Sequence, residues 1–337
     1  VYKRQKLRYT ETDCTNPFIN LATEEYMTFR AAEGEVTMYL WQNANTVVIG
    51  KNQNPWRECR VESMREGDCK LARRISGGGA VYHDLGNLNF TFIAREDEYD
   101  IPKQTEVILE AVRLLGINAE KTGRNDLTID GMKFSGHAYY QSNGYCYHHG
   151  TIMFNVDPTP LGEYLNVSAS KLKSKGVKSV RSRITNLINH KPDVTLEELK
   201  KALYDAFAKV YGGEVERFDI PTAESDPELK ALIDKYSSEE WRFGRKIPFT
   251  TSISERLDWG GVDVELQVEG GVIKDCGIFS DSLETEVFGV LKDKLIGCKY
   301  SKSAMATLVE SALPYAPNSK EYQICCDIIN LIAEGIM

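Results

Sequence analysis

The sequence predicts a mixed α+β or α/β protein in two parts: a large domain of mixed sheets flanked by helices over residues 1–244, and a small α+β domain over 245–337. Three observations lead there. A chain of 337 residues, 42% hydrophobic and 27% charged, can bury a sizeable core and more often makes two domains than one. Strand-like and helix-like periodicities interleave along the first two thirds. After Trp241-Arg242-Phe243-Gly244 comes a connection-like Arg245-Lys246-Ile247-Pro248, and a different apolar pattern begins beyond it.

Met38-Tyr39-Leu40-Trp41, Thr46-Val47-Val48-Ile49 and Leu88 to Ile93 read as strands bounded by Asn and Gly. Between and after them, Ile108, Ala111, Val112 and Leu115 recur at helical spacing, as do Leu196, Leu199, Leu203 and Phe207, and core packing accounts for both stripes. A polar helix pattern runs from Asp226 to Phe243. In the second part Val262, Val264, Leu266 and Val268 alternate with Asp263, Glu265 and Gln267, and Gly270-Gly271 turns the chain into Val272-Ile273, a half-buried hairpin. Helix-like segments after Leu283, Lys302 and Asn318 complete a unit long enough for its own core.

The charge balance, 41 Lys+Arg against 49 Asp+Glu, gives a formal charge of -8 and no general attraction to nucleic acid. No apolar run is long enough to span a bilayer, and Val1-Tyr2-Lys3-Arg4-Gln5 lacks the apolar centre of a signal peptide. A cytoplasmic protein without nucleic-acid or membrane partners is therefore expected; a monomer is the expected state, though nothing in the composition fixes it. The 8 cysteines show neither a Cys-x-x-Cys pair nor zinc-type spacing, which points to reduced and mostly buried thiols. Cys325 and Cys326 fall on a helical pattern with Tyr322 and Ile329, so packing explains them better than a disulfide.

Chemistry concentrates in three places. Ser76-Gly77-Gly78-Gly79 lies between the strand-like Lys70-Leu71-Ala72 and Ala80-Val81-Tyr82, which is neither a dinucleotide fingerprint nor a P-loop. Its glycines can take φ > 0 and approach a ligand closely, and Arg73 and Arg74 offer planar donors to a carboxylate or phosphate. A flexible hairpin would read the same way. Leu127-Thr128-Ile129-Asp130-Gly131-Met132-Lys133-Phe134 is a two-residue hairpin pattern that sets Thr128 opposite Lys133 and Asp126 opposite Ser135, with His137 following on that face. There a carboxylate able to hold Mg²⁺ would stand near an ammonium able to reach a phosphate, although a solvated edge lysine is the commoner fate. Gly123-Arg124-Asn125-Asp126 adds a bend with a guanidinium, and Lys175, Lys178, Arg181 and Arg183 stud a loop that could be solvated or could close over phosphates.

Together these segments resemble the lipoate-protein ligases. The resemblance rests on Asn16 to Glu25, Trp41-Gln42-Asn43, Val47 to Trp56, Leu71-Ala72-Arg73-Arg74, Gly77 to Asp84, Gly86-Asn87, Gly123 to Leu127, His148-His149-Gly150-Thr151 and Ser179-Val180-Arg181-Ser182-Arg183, all in the family's order. It implies a catalytic domain of the biotin/lipoate ligase fold with a small accessory domain. It also implies two half-reactions: lipoate attacks the α-phosphate of ATP, with Mg²⁺, to give lipoyl-adenylate, and a carrier lysine takes the acyl group. The carriers implied are the lipoyl domains of 2-oxoacid dehydrogenase E2 subunits and the glycine-cleavage H protein.

By position, the resemblance assigns nucleotide binding to Arg74, Gly79, Ala80, Val81, Tyr82, Asp126, Lys133, Ser179 and Arg183, with Asp126 as the Mg²⁺ carboxylate. It assigns lipoate binding to Arg73, Ser76, Gly78, Lys133 and His149, catalysis to Lys133, and a tunnel for the acyl tail to Val81, Phe90 and Tyr39. His83, His137, His148 and His149 are read as structural, because a carboxylate nucleophile is already ionised near neutral pH. The alternatives are an ATP-independent octanoyl or lipoyl transferase working through Cys146, a non-catalytic module binding lipoate or its carrier, and a biotin ligase, whose Gly-Arg-Gly-Arg-x-Gly loop is absent.

Overall fold

The computed structural model describes residues 5–122, 126–166, 184–244, 248–311 and 313–336. Its contacts define two compact units. One comprises Val1–Val48, Trp56–Arg74 and Val81–Arg242, and the other Ile49–Pro55, Ile75–Ala80 and Phe243–Met337. The second unit thus draws in two short segments from far upstream.

The first unit carries β1 (Lys6–Glu11), β2 (Glu35–Trp41), β3 (Thr46–Ile49), β4 (Lys70–Arg73), β5 (Val81–His83), β6 (Asn87–Arg95), β7 (Glu120–Thr122), β8 (Asp126–Ile129), β9 (Met132–Ser142), β10 (Tyr145–Met153) and β11 (Val215–Arg217). Eight of them form one sheet in the order β11-β1-β2-β6-β10-β9-β8-β7, and β4-β3-β5 form a second. The pairs of β1 with β11 and with β2 are parallel, and the remaining pairs of the large sheet are antiparallel. The sheet is mixed and flanked by helices, as the resemblance to the ligases implied.

Its helices begin where local chemistry starts them. In α1 (Pro17–Thr28) the Asn16 side chain accepts from Phe18 N and proline opens the first turn; in α2 (Ile101–Leu114) Asp100 accepts from Lys103 N. In α3 (Leu196–Tyr211) Thr195 and Glu198 close a capping box, and Gly212 ends the helix at φ 70. The apolar stripes of α2 and α3, including Ile108, Val112, Leu203 and Phe207, bury against Met38, Leu40, Phe90 and Phe92 of the sheet. Side chains alternate across a strand. The neighbouring residues Thr91 and His149 therefore point to the other face, where they bond to Glu24 of α1.

The polar pattern from Asp226 to Phe243 is broken rather than continuous. The helix α4 (Pro227–Ser237) stops at an extended Ser238, whose hydroxyl donates to Lys235 O and accepts from Trp241 N, and a short helical turn Glu239–Phe243 follows.

In the second unit, β12 (Thr251–Leu257), β13 (Gly260–Glu269) and β14 (Val272–Ser280) form an antiparallel sheet, with Gly270 at φ 58 and Gly271 at φ 73 in the turn. The helices α5 (Glu286–Leu295), α6 (Lys302–Ser311) and α7 (Lys320–Glu334) cover its apolar side, where Val264, Leu266 and Ile278 meet Leu291, Ile324 and Ile328. Ser280 N bonds to Asn52 O at 2.9 Å and Gly78 N to Ser282 O at 3.0 Å, which is how the two upstream segments join this unit. All eight cysteines are free, and five are buried. Among the described residues no helix is long and apolar enough to cross a membrane.

Candidate active site

The hairpin between β8 and β9 places Lys133. Asp130 at φ 51 and Gly131 at φ 75 make the expected turn, and Thr128 does pair with Lys133. The register then shifts between Leu127 and Thr128, so Asp126 pairs with Gly136 and not with Ser135. Phe134 is the extra residue of this bulge. It and Ser135 are both buried, whereas Lys133 is turned to the side of Gly136, where an added Cβ would lie 2.7 Å from its Nζ. The expectation that Lys133, Ser135 and His137 share one face is therefore corrected. Asp126 does reach Lys133: Nζ and Oδ1 are 2.7 Å apart and both side chains are partly exposed.

A buried polar cluster lies between α1 and the sheet. Glu24 Oε1 accepts from Thr91 Oγ1 at 2.6 Å and from His149 Nδ1 at 2.8 Å, while Trp41 Nε1 donates to Thr91 Oγ1 at 3.0 Å. Arg74, 5% exposed, donates to Val48 O; burial lowers its pKa to about 10, against the pull of Tyr147 and Glu24. It stays cationic at neutral pH. Asn20 Nδ2 donates to Asn43 Oδ1, which turns the Asn43 amide nitrogen toward His83 Nδ1. His83 therefore carries its proton on Nε2, and burial, helped by Arg74 and His149, pushes its pKa down to about 3. Neither His83 Nε2 nor Asn89 Nδ2 has a hydrogen-bond partner among the described residues. Both are buried donors on the α1 side of the sheet.

Tyr39 stacks on Trp41 at 6.1 Å on this same side of the sheet. Phe90 does not join them. It packs edge-on against His137 and His148 in the core on the opposite face, so Tyr39 and Phe90 cannot line one tunnel.

Arg73 donates from Nε to Trp241 O at 2.8 Å and from Nη2 to Arg242 O at 2.9 Å, holding the short turn there. Tyr82 donates to Asn45 Oδ1, and Val81 pairs with Val48. In the second unit, Ser76 is fully buried, Gly78 takes φ 91, Gly79 has open space where a Cβ would stand, and Ala80 closes the segment. Ser179, Arg183 and the bend Gly123-Arg124-Asn125 lie outside the described residues. Cys146 is fully buried, and burial raises its thiol pKa to about 11. Glu24, Trp41, Asn89 and Thr91 were not singled out from sequence. The one signal was a glutamate among the apolar positions of the first helix.

Lys133 and Asp126 thus pair at the β8–β9 hairpin of a helix-backed mixed sheet, and Glu24, Thr91 and His149 form a buried polar cluster between that sheet and α1. Residues 16–208 match the lipoyl protein ligase A/B catalytic domain, and residues 246–325 match the bacterial lipoate protein ligase C-terminus. The chain belongs to the lipoate-protein ligase family and is an enzyme of that class. Lipoate-protein ligase A of Psychrobacter cryohalolentis is 41% identical over 304 residues, covering 88% of this chain and 90% of that protein. The crystal structure of P. falciparum LipL1 in complex with lipoate superposes with a TM-score of 0.82 at 27% identity, covering 98% of this chain and 99% of that one. A bi-partite lipoate protein ligase from Thermoplasma acidophilum, described with its E2 lipoyl domain, superposes at 0.64 with 29% identity over 73% of this chain and all of its own (100%). A lipoate-protein ligase A bound with ATP superposes at 0.60 with 27% identity, over 72% of this chain and 98% of that one.

Proposed function

We propose that this ligase joins lipoate to ATP, giving lipoyl-adenylate and pyrophosphate, and then passes the lipoyl group to the ε-amine of a lysine on lipoyl carrier domains, with release of AMP. The carriers are the lipoyl domains of 2-oxoacid dehydrogenase E2 subunits and the glycine-cleavage H protein. The observation that carries this reading is the placement of Lys133 beside Asp126, on the side of β9 that Gly136 lines. Relatives described with bound lipoate and with bound ATP support it. The enzyme would act as a cytoplasmic monomer, with residues 1–244 catalytic and 245–337 accessory.

In the first step a lipoate carboxylate oxygen bonds to the α-phosphorus and the bond to the bridging oxygen of pyrophosphate breaks. The nucleophile is already ionised, so no base is required. His83, His137 and His148 are in any case held neutral by burial. Charge builds on the α-phosphoryl oxygens, and the Lys133 ammonium stabilises it there more than in the ground state. Arg74, Gly79, Ala80, Val81, Tyr82, Ser179 and Arg183 hold the nucleotide. Arg73, Ser76, Gly78 and His149 hold the lipoyl group, with Lys133 on its carboxyl.

Among the described residues no group of three or more metal-ligating side chains exists. Mg²⁺ suits such a site, because it is commonly held by one or two carboxylates together with substrate phosphates and water. The partly exposed Asp126 is the carboxylate that would hold it, lending electrostatic stabilisation to the phosphates.

Lys133→Ala is expected to cut lipoate-dependent pyrophosphate release by about 10²–10³-fold with an unchanged circular dichroism spectrum. Release at the wild-type rate would remove the lysine from the mechanism. The carriers are tested by intact mass: each purified apo-carrier should gain one lipoyl group, and only when ATP and magnesium are present.

A further inference from the structure

Behind Lys133 the core contains an unbroken chain of polar side chains that the reaction does not use. Gln104 Oε1 lies 3.1 Å from His148 Nδ1, His148 Nε2 lies 2.9 Å from His137 Nδ1, and His137 Nε2 lies 3.1 Å from Ser135 Oγ. Gln104, His148 and Ser135 are each 0% exposed and His137 9%. Burial keeps both imidazoles neutral, with one proton apiece. The direction of every bond follows from one end. The Gln104 oxygen can only accept, so His148 carries its proton on Nδ1 and accepts at Nε2. His137 must then donate from Nδ1 and accept at Nε2, which leaves the Ser135 hydroxyl donating inward.

Imidazoles among phenyl rings are costly tenants of a core. His137 packs 5.3 Å from Phe90, and His148 5.4 Å from Phe90 and 6.0 Å from Phe92, where leucine would need no hydrogen bonds. What the chain does geometrically is tie Ser135 to α2. Ser135 is the residue next to the bulged Phe134, and its inward direction departs from simple alternation with Lys133. If β9 alternated without a bulge, Lys133 would share the core face with Ser135 and His137. With Ser135 pinned inward, Lys133 falls on the face of Gly136 and meets Asp126.

We propose that Ser135, His137 and His148 are positioning residues: through Gln104 they hold the β9 bulge that aims Lys133 at the reacting phosphate. This rests on the role given to Lys133 above. The chain touches no substrate, so its effect falls on turnover through the lysine. The three hydrogen bonds from Gln104 to Ser135, all buried, favour one arrangement of the strand.

The test compares Ser135→Ala, His137→Leu, His137→Gln and Lys133→Ala in the full chain, by pyrophosphate-release kinetics and by trace labelling of Lys133 with acetic anhydride read by mass spectrometry. Ser135→Ala and His137→Leu should lower kcat about 10–100-fold with much smaller changes in KM for ATP, as misplacement by about 1 Å does. In both, Lys133 should label faster as it loses Asp126. His137→Gln, whose amide can accept from Ser135 and donate to His148, should recover most of the turnover and the slow labelling. If Lys133→Ala is inactive while Ser135→Ala and His137→Leu match wild type in kcat and labelling, the proposal is overturned and the reading of Lys133 stands. Lower kcat with unchanged labelling also overturns it. If Lys133→Ala still turns over, the reading of the lysine fails and the proposal that rests on it falls too, whatever the labelling of Ser135→Ala shows. Should His137→Leu not fold, Ser135→Ala, which deletes one hydroxyl, decides.

Discussion

Cys146 stands in β10, two residues from His148 and three from His149, the spacing that invites an acyl-cysteine mechanism. Its environment argues otherwise. The side chain is fully buried, and burial lifts the thiol to about 11. At pH 8 only about one thiol in a thousand would then be ionised, too few for an activated nucleophile. Both histidines are occupied elsewhere, His148 by Gln104 and His137, and His149 by Glu24. Cys146→Ala should therefore leave ATP-dependent lipoylation within about twofold of wild type, in keeping with a residue whose role is packing. Iodoacetamide at pH 8 should modify it far more slowly than a free thiol. Loss of all lipoylation in Cys146→Ala, with the fold intact, would bring the transferase mechanism back.

The loop from Ile75 to Ala80 shows how differently three adjacent glycines can be constrained. A Cβ on Gly77 would stand 2.3 Å from Ser282 O and 2.7 Å from Leu283 O, both backbone atoms that cannot swing aside. Gly77→Ala should thus cost about 1–3 kcal/mol, visible as a lower melting temperature. Gly79 has open space at that position, so Gly79→Ala should change stability by less than about 0.5 kcal/mol while raising KM for ATP. Equal melting shifts in the two variants would contradict the assignment. The spacing of residues announced a loop here, but not which glycine is set by packing, because the partner Ser282 lies some two hundred residues away in sequence. The same limit applies to β9. Its Asp130-Gly131 turn is local and was legible, as were the stripes of α2 and α3. The bulge at Phe134 answers to Ser135, His137, His148 and Gln104, which only tertiary structure gathers. Phe90 was misplaced for a related reason: both faces of β6 are buried, so period-two alternation carries no sign of which face is which.

At the scale of the whole chain, the segments Ile49–Pro55 and Ile75–Ala80 belong with the C-terminal residues rather than with their sequence neighbours. A composition shift near Gly244 could not reveal this, since hydrogen bonds and not linker chemistry make the union. Gly78 N bonds to Ser282 O, Ser280 N to Asn52 O, and Asn52 Nδ2 to Thr285 O, while Lys51 pairs with Glu286. A chain ending at residue 244 would strip those partners from both segments and leave the large sheet with its own core of α2 and α3. Hydrogen exchange on that shortened chain should find β6 and β10 still protected and the amides of 49–55 and 75–80 exchanging near their unprotected rates. Adenylate formation should fall with them, because Ser76, Gly78 and Gly79 would no longer be held. Adding residues 245–337 as a separate polypeptide should restore both protection and activity. Protection of 75–80 in the shortened chain alone would show that the loop is ordered without the second unit. Its assignment to that unit would then be wrong.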